Sequence, residues 1–383
     1  MKLRKDNWEK VRYGDYVNHI ENTETNSDKR ANARYVSVEN IESGNFKITS
    51  WYEEEMPTFF RTFKQGQILF GKRRAYQKKV AIADFDGICS PHIWALETKS
   101  DNLSQAFLSY LMLSDNFYKY VNANSAGTMS PYLKWPQLSS YTFVLPPLEE
   151  QKQIAALFQS IDTAIEQVDR QEKNLKSLQH RLSNGLVRKS PVFGNLLSGI
   201  NCKLCKFEDI TDCIETHDKK PLESGITRFV GLECIETENF HLQSFGNIEN
   251  GTTFTKRFSK GDVLFGKRRA YLKKVAVADF DGICSSDILV FRAKENKMLA
   301  DLLPYYVSSD VFIQHAVMTS AGSLSPRTKW KDLAALEIAI PELKTQKVIM
   351  EIFQQLQIGL DQLNQQKNTL KNLKQQLLNE ILG

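Results

Sequence analysis

The segment LFGKRRAYQKKVAIADFDGICS at residues 69–90 recurs as LFGKRRAYLKKVAVADFDGICS at 264–285, identical at 20 of 22 positions. Nothing else in the chain limits its fold so tightly, because each copy must belong to a unit that folds the same way twice. The repeat also extends beyond this stretch. WEKVRYGDYVNHI (8–20) answers CKLCKFEDITDCI (202–214), and RYVSVENIESGNF (34–46) answers RFVGLECIETENF (228–240). SAGTMSPYLKWPQL (125–138) answers SAGSLSPRTKWKDL (320–333), and PPLEEQKQI (146–154) answers PELKTQKVI (341–349). The offset is 194 in the early pairs and 195 in the later ones, so the second copy carries one extra residue opposite 47–66. The 383 residues form a pseudo-dimer on one chain.

Within each half the hydrophobic period changes once. Up to about residue 145, short β-type runs (ILF, VAIA, IWALE) are separated by glycines and by the Asp86-Gly87 turn signal. Phe107, Leu111 and Phe117 predict a helical stretch over 103–122. A helix start follows at Pro147 with Glu149 and Glu150, since proline is tolerated at the first helical position and carboxylates suit the positive end of the dipole. From there Ile154, Ile161, Val168, Leu175 and Leu182 fall seven apart, as do Ile349, Leu356, Leu363, Leu370 and Leu377. Apolar companions sit three or four residues further on. This heptad pattern predicts a coiled coil whose helices each run about 40 residues, roughly 60 Å. Helices packed only on their own domain seldom exceed about 20 residues, so the two are expected to pair with each other. Gln171 and Gln366 interrupt the apolar pattern at equivalent places and are expected to set register. The expected organisation is a first domain over 1–145, a helix over 146–188, a linker over 189–201, a second domain over 202–340 and a second helix over 341–383.

Several function classes are excluded or weakened. No apolar run approaches the roughly 18 residues that span a bilayer, and the N-terminal stretch lacks the apolar region of a signal peptide; a cytoplasmic protein without a membrane partner is expected. FGKRR has only the Gly-Lys pair of a phosphate-binding loop, and no dinucleotide fingerprint follows a strand. The Asn/Asp-Pro-Pro-aromatic tetrad of amino-methyltransferases is missing as well. A nuclease could be built from Asp84 or Asp86 with Glu97 and Lys99, but Glu97 corresponds to Arg292 in the second copy, which would lack a metal ligand. Cys202, Cys205, Cys213 and His217 have a loosely zinc-like spacing. Trp8 and Val11 stand where Cys202 and Cys205 would be in the first half, so core packing is the better reading and no metal site is expected. No catalytic residue is assigned, and the chain is expected not to be an enzyme by itself.

The net charge of +5 is too mild to imply a nucleic-acid partner, so its distribution matters more. Lys72, Arg73, Arg74, Lys78 and Lys79 place five cations within eight residues around Tyr76, and Lys267, Arg268, Arg269, Lys273 and Lys274 repeat this around Tyr271. The flanking β-type runs put them on a loop or hairpin at a sheet edge. Such residues suit phosphate contacts, with arginine available for guanine and tyrosine for stacking; the plainer alternative is a solvated charged hairpin. A second candidate is the SAG loop, with Ser125, Thr128, Ser130 and Lys134 matched by Ser320, Ser323, Ser325 and Lys329, although its composition is also that of an ordinary turn. Residues shared by both copies cannot tell two sites apart. Discrimination is therefore expected where the copies differ, chiefly 47–66 against 241–261 and PHIW (91–94) against SDIL (286–289).

These motifs, GQILFGKRRAY…KVAIADFDGICS with its second copy, SAGTMSPYL, and LPPLEEQKQIAALFQSIDTAIE leading into the heptads, resemble the specificity subunits of type I restriction–modification systems. The resemblance covers essentially the whole chain, and its most specific part is the strand–LPPLEEQ–helix junction. The second copy departs there, with PELKTQK for PPLEEQK. The resemblance implies an α+β fold of two mixed α/β target recognition domains joined by two long helices in an antiparallel coiled coil. It implies double-stranded DNA as a partner, each domain reading part of a split sequence. Two modification subunits carrying S-adenosylmethionine are expected on the helices, and a restriction subunit using ATP and magnesium can join; this chain needs no cofactor itself. The competing reading is a coiled-coil scaffold whose basic loops bind acidic proteins.

Overall fold

The computed structural model describes residues 5–53, 60–187 and 202–383. The chain divides into two compact units, one of Met1–Asp169 with Gln365–Gly383 and one of Arg170–Asn364. Each unit thus holds one globular domain and part of both long helices. The expected linker at 189–201 lies outside the described residues, as does part of the variable 47–66 segment.

In the first unit, β1 (Glu9–Arg12) pairs antiparallel with β9 (Thr142–Leu145). A four-stranded antiparallel sheet has the order β2 (Val17–Ile20), β8 (Ile93–Thr98), β5 (Ile68–Gly71), β6 (Val80–Ile82). A smaller sheet has the order β3 (Tyr35–Val36), β7 (Gly87–Cys89), β4 (Arg61–Phe63), with β3 parallel to β7. The two-residue period of a strand explains why β5 is apolar throughout. Ile68 and Phe70 join the core under the helices, whereas Leu69 between them joins the core against the small sheet. The larger sheet is therefore buried on both faces.

The second unit repeats this plan. β10 (Cys202–Lys206) pairs with β19 (Glu337–Pro341), and the larger sheet has the order β11 (Thr211–Cys213), β18 (Ile288–Ala293), β15 (Val263–Gly266), β16 (Val275–Val277). The smaller sheet contains β12 (Arg228–Val230), β17 (Gly282–Cys284) and β14 (Lys256–Phe258), plus a short β13 (Gly246–Asn247) beside β12. Val263 and Phe265 face one core and Leu264 the other, as in the first copy.

Two local expectations are corrected. Asp86-Gly87 does not close a hairpin: β6 pairs with β5, while β7 pairs with β3 and β4 in the other sheet. Asp86 Oδ1 accepts the Gln65 N–H, and a Cβ on Gly87 would lie 2.7 Å from both the Arg34 carbonyl oxygen and the Phe63 ring, so the glycine admits close packing where the chain changes sheets. The stretch expected over 103–122 is two helices, Gln105–Leu111 and Asp115–Asn124. Ser114 breaks it by capping the second, its side chain accepting the Phe117 N–H.

The long helices run over Leu148–Leu186 and Leu343–Leu382, and they are antiparallel. In the first unit Asp162 meets Lys374 and Asp169 meets Lys367, each at 2.5 Å, so seven residues forward on one helix is seven back on the other. Of the heptad residues, Ile154, Ile161, Val168 and Ile349 are buried, and Leu175, Leu182, Leu356, Leu363, Leu370 and Leu377 are half-buried. The register role given to Gln171 and Gln366 fails, since both are exposed. Companion residues four positions after the heptad residues face the domains: Phe158 packs on Tyr110, and Phe353 stacks on Tyr305 at 3.9 Å. Gln171 and Gln366 lie three positions after, on the opposite flank. Between the helices of the first unit Lys374 is buried, and its partner Asp162 also accepts the Tyr110 hydroxyl at 2.8 Å.

Each helix is locked to its domain by a fully buried glutamine. Gln151 Nε2 donates to the carbonyls of Asn102 (2.9 Å) and Pro146 (2.8 Å), and its Oε1 accepts the Ser104 N–H at 2.8 Å. Gln346 does the same with Lys297, Pro341 and Leu299. This explains why PPLEEQK and PELKTQK keep the glutamine although three of the residues before it differ.

Candidate nucleic-acid interface

The basic segment is the connection of the β5–β6 hairpin, at the edge of the larger sheet, and its copy connects β15 to β16. One turn of 3-10 helix (Ala75–Gln77, Ala270–Leu272) sits in each, bracketed by left-handed residues: Arg74 (φ 52°) and Lys78 (φ 52°), then Arg269 (φ 54°) and Lys273 (φ 49°). Non-glycine residues pay for this conformation, so the structure around each must hold it in place. The lysines supply part of that hold. Lys78 is paired with Asp115 at 2.9 Å and Lys273 with Asp310 at 2.8 Å, in both cases at the first residue of a helix. Lys79 Nζ donates to the Ile41 carbonyl and Lys274 Nζ to that of Leu232.

The remaining cations face outward to different degrees. Lys72 is half-buried with Nζ 5.3 Å from the Trp94 ring, and burial lowers its pKa. Lys267 is likewise half-buried. Arg73, Arg74 and Arg269 are exposed, and Tyr76 and Tyr271 are 53% and 54% exposed. The outward set is thus smaller than the sequence implied: two arginines and a tyrosine in each copy, with Arg268 of the second half-buried, and a lysine at the base.

The two sequence candidates form one surface. The Arg74 N–H donates to the Pro131 carbonyl (2.7 Å) and the Leu133 N–H to that of Lys72 (2.9 Å); Arg269 and Thr328 repeat these bonds with Pro326 and Lys267. The SAG loop is therefore bridged directly to the basic turn. Ser125 and Ser320 do not face a ligand, because their hydroxyls donate to the carbonyls of Val121 and Ala316 in the preceding helices. Thr128, Lys134, Ser323 and Lys329 are exposed. At the loop tips Met129 is 92% exposed and Leu324 88%, equivalent apolar positions that the sequence reading did not single out. Helical or strand periodicity could not have flagged them; only the repeat, which keeps a large apolar residue at a turn tip, carries that signal.

Beside the identical turns the two copies differ. Arg73 Nε donates to Ser130 Oγ at 2.7 Å, and its Nη1 lies 3.1 Å from His92 Nε2. Burial, with Arg73 and Lys72 nearby, lowers the His92 pKa. In the second copy Asp287 replaces His92: Arg327 Nε and Nη2 donate to its two oxygens at 2.7 and 3.2 Å, and Arg268 Nη1 is 3.2 Å from Oδ2. The Arg327 hydrogen bond and the charges of Arg327 and Arg268 hold the Asp287 pKa below the usual carboxylate range. Arg327 replaces Tyr132, and each bridges directly to Arg268 or Arg73 across the loop pair.

The residues considered for other chemistry are engaged elsewhere. Glu97 accepts from Gln67 Nε2 at 2.9 Å, and Lys99 Nζ donates to the Gly14 carbonyl. In the second copy Asp262 and Arg292 take the places of Gln67 and Glu97 and are bonded twice, at 2.7 and 2.8 Å, so the glutamate–arginine difference is matched by one in its partner. Cys202 and Cys205 lie on β10 and Cys213 on β11, with their thiol pKa values raised chiefly by burial. Among the described residues no group of three or more His, Cys, Asp or Glu could hold a metal, and no helix is long and apolar enough to cross a membrane.

Comparison with known proteins gives a consistent result. The family model of the type I restriction modification DNA specificity domain matches residues 5–176 and 246–372. The EcoDI specificity subunit of Escherichia coli is 25% identical over 307 residues, covering 70% of this chain and 67% of that protein. The MjaVIII specificity subunit of Methanocaldococcus jannaschii is 22% identical over 413 residues, covering 98% and 92%. Two solved structures share the fold. One, from a study of complex assembly and conformational transition of the type I R-M system, has a TM-score of 0.60 at 20% identity, covering 99% of this chain and 98% of that one. The other, the type I S subunit from M. genitalium, has a TM-score of 0.54 at 15% identity, covering 100% and 98%.

Proposed function

The chain belongs to the type I restriction–modification DNA specificity family, and we propose that its two bridged loop surfaces are the readers of a two-part DNA target. One observation carries this reading: an exposed turn of two arginines and a tyrosine, pinned by main-chain bonds to a second loop, is built twice with the same backbone. Arg74 and Arg269 are exposed cations on a rigid edge, suited to phosphate oxygens. Arg73 and Arg268 stand beside the residues that distinguish the copies. Lys78, Lys79, Lys273 and Lys274 hold the turns in shape and are assigned no DNA contact. Met129 and Leu324, at the loop tips, are of the type that contacts thymine methyl groups or wedges at a base step.

The chain reads sequence and has no catalytic group of its own. The helices bind two modification subunits, which bring S-adenosylmethionine; a restriction subunit adds ATP- and magnesium-dependent cleavage where one is present. The complex acts in the cytoplasm. The test uses the full chain purified with its co-expressed modification subunits and a random-sequence duplex library, with binding repeated across a salt series. Enrichment of one bipartite sequence, with affinity falling steeply as salt rises, supports the reading. Binding without sequence preference would overturn it.

A further inference from the structure

We propose that residues 92 and 132 in the first unit, and 287 and 327 in the second, set which base pair the otherwise identical arginine turns read. This rests on the preceding reading of the loops as DNA readers. It adds which side chains discriminate and what they recognise.

The argument starts from what the copies share. KRRAY is identical in both, and the flanking left-handed residues differ by only a few degrees in φ (52° and 54°, then 52° and 49°). A difference in preference must therefore come from what each arginine leans on. In the second unit the Asp287 side chain is 15% exposed and lies against the guanidinium groups of Arg268 and Arg327, whose side chains are 42% and 46% exposed. One carboxylate thus fixes two exposed forks. Each guanidinium has five N–H groups; the contacts with Asp287 occupy one on Arg268 and two on Arg327, whose Nη1 also donates to the Ser325 carbonyl at 3.2 Å, which leaves two on Arg327 for a base. A fork held this way has lost its rotamer freedom before binding and matches the paired acceptors N7 and O6 of guanine.

The first unit offers a different surface. Arg73 leans on the Ser130 hydroxyl and the His92 ring, and Tyr132 stands where the second guanidinium would be. One fork and a phenol replace two forks, and a neutral ring replaces the carboxylate. The two changes are coupled: Arg327 without Asp287 would place two cations side by side, and Asp287 without Arg327 would cancel the charge of Arg268 and leave no net cation at that point. The second half-site therefore contains a guanine contacted by Arg268 or Arg327, and the first half-site differs at that position.

The experiment uses the full chain assembled with its modification subunits and mapping of the methylated target. His92→Asp with Tyr132→Arg should change the first half-site so that it shares this base pair with the second, leaving the second half-site intact. Asp287→Asn is the companion variant, and it keeps the side-chain shape. Its preference for the guanine should fall roughly tenfold to a hundredfold, the range of a bidentate contact, while binding to non-target duplex rises because a negative charge is gone. An unchanged first half-site in the double variant, in an assembly that still methylates its second half-site normally, overturns the proposal. So does an Asp287→Asn protein with undiminished preference. A wild-type assembly that selects no sequence would instead overturn the underlying reading of the loops.

Discussion

Replacing Gln151 by leucine removes the latch between the first domain and its long helix without leaving a large cavity, since the two side chains are similar in volume. The consequence follows from three hydrogen bonds in a fully buried site. The carbonyls of Asn102 and Pro146 lose their donor, and the N–H of Ser104 loses its acceptor. Each stranded group costs about 1–3 kcal/mol, and burying leucine returns about 2 kcal/mol, so a net loss of about 4 kcal/mol is expected. The tryptophans make this measurable. Trp8, Trp51, Trp94 and Trp135 lie in the first unit and only Trp330 in the second. In urea, Gln151→Leu should move the tryptophan fluorescence transition to lower denaturant. Gln346→Leu should move the transition seen by circular dichroism while leaving most of the fluorescence change in place. A loss below about 1 kcal/mol for Gln151→Leu would show that water or a local rearrangement satisfies these groups, and the latch argument would be refuted.

Arg74→Ala and Arg269→Ala should each reduce the slope of log affinity against log salt by about 0.9, one phosphate's worth of counterion release; filter binding across a salt series measures it, and unchanged slopes in both remove the turns from the interface. Lys374→Met should cost about 1–3 kcal/mol in urea unfolding, because the half-buried Asp162 loses its charged hydrogen-bond partner. Asp162→Gln with Lys374→Gln should recover most of that, since Gln357 and Gln179 occupy the equivalent positions; a double variant as unstable as the single would contradict this. His19, 5.3 Å from the rings of both Trp94 and Trp135, has its pKa pushed down to about 4, chiefly by burial. The unfolded chain therefore takes up the proton first, and stability present above pH ~6.5 falls as pH drops toward 4, by about 2 kcal/mol between pH 6.5 and 5. His19→Gln should flatten that interval, and an unaltered pH profile would count against a neutral buried ring.

The repeat made the architecture legible, because it marked equivalent segments before any element was assigned, and the seven-residue period marked both long helices. Helical periodicity did not tell which flank faces a domain. That depends on where Tyr110 and Tyr305 meet Phe158 and Phe353, so Gln171 and Gln366 were misread while Lys374 passed unnoticed. In the candidate interface, charge density located the turns but not the division of labour among their cations. Lys78 and Lys273 look like Arg74 and Arg269 in sequence; only the helix-starting aspartates 37 residues further on reveal that they are paired. The contrast between His92 and Asp287 lay within a segment expected to discriminate. Its link to Tyr132 and Arg327 required the loop-to-loop bridge, a contact between segments about 60 residues apart in sequence.

The central claim is that each domain reads its own part of the target. The most direct measurement is to replace residues 8–145 with 202–340, assemble the chimaera with the modification subunits and map methylated adenines across a genome-scale DNA. A target in which the second half-site appears twice is the predicted result. A chimaera that methylates the original asymmetric target would place sequence recognition outside these domains and contradict the account.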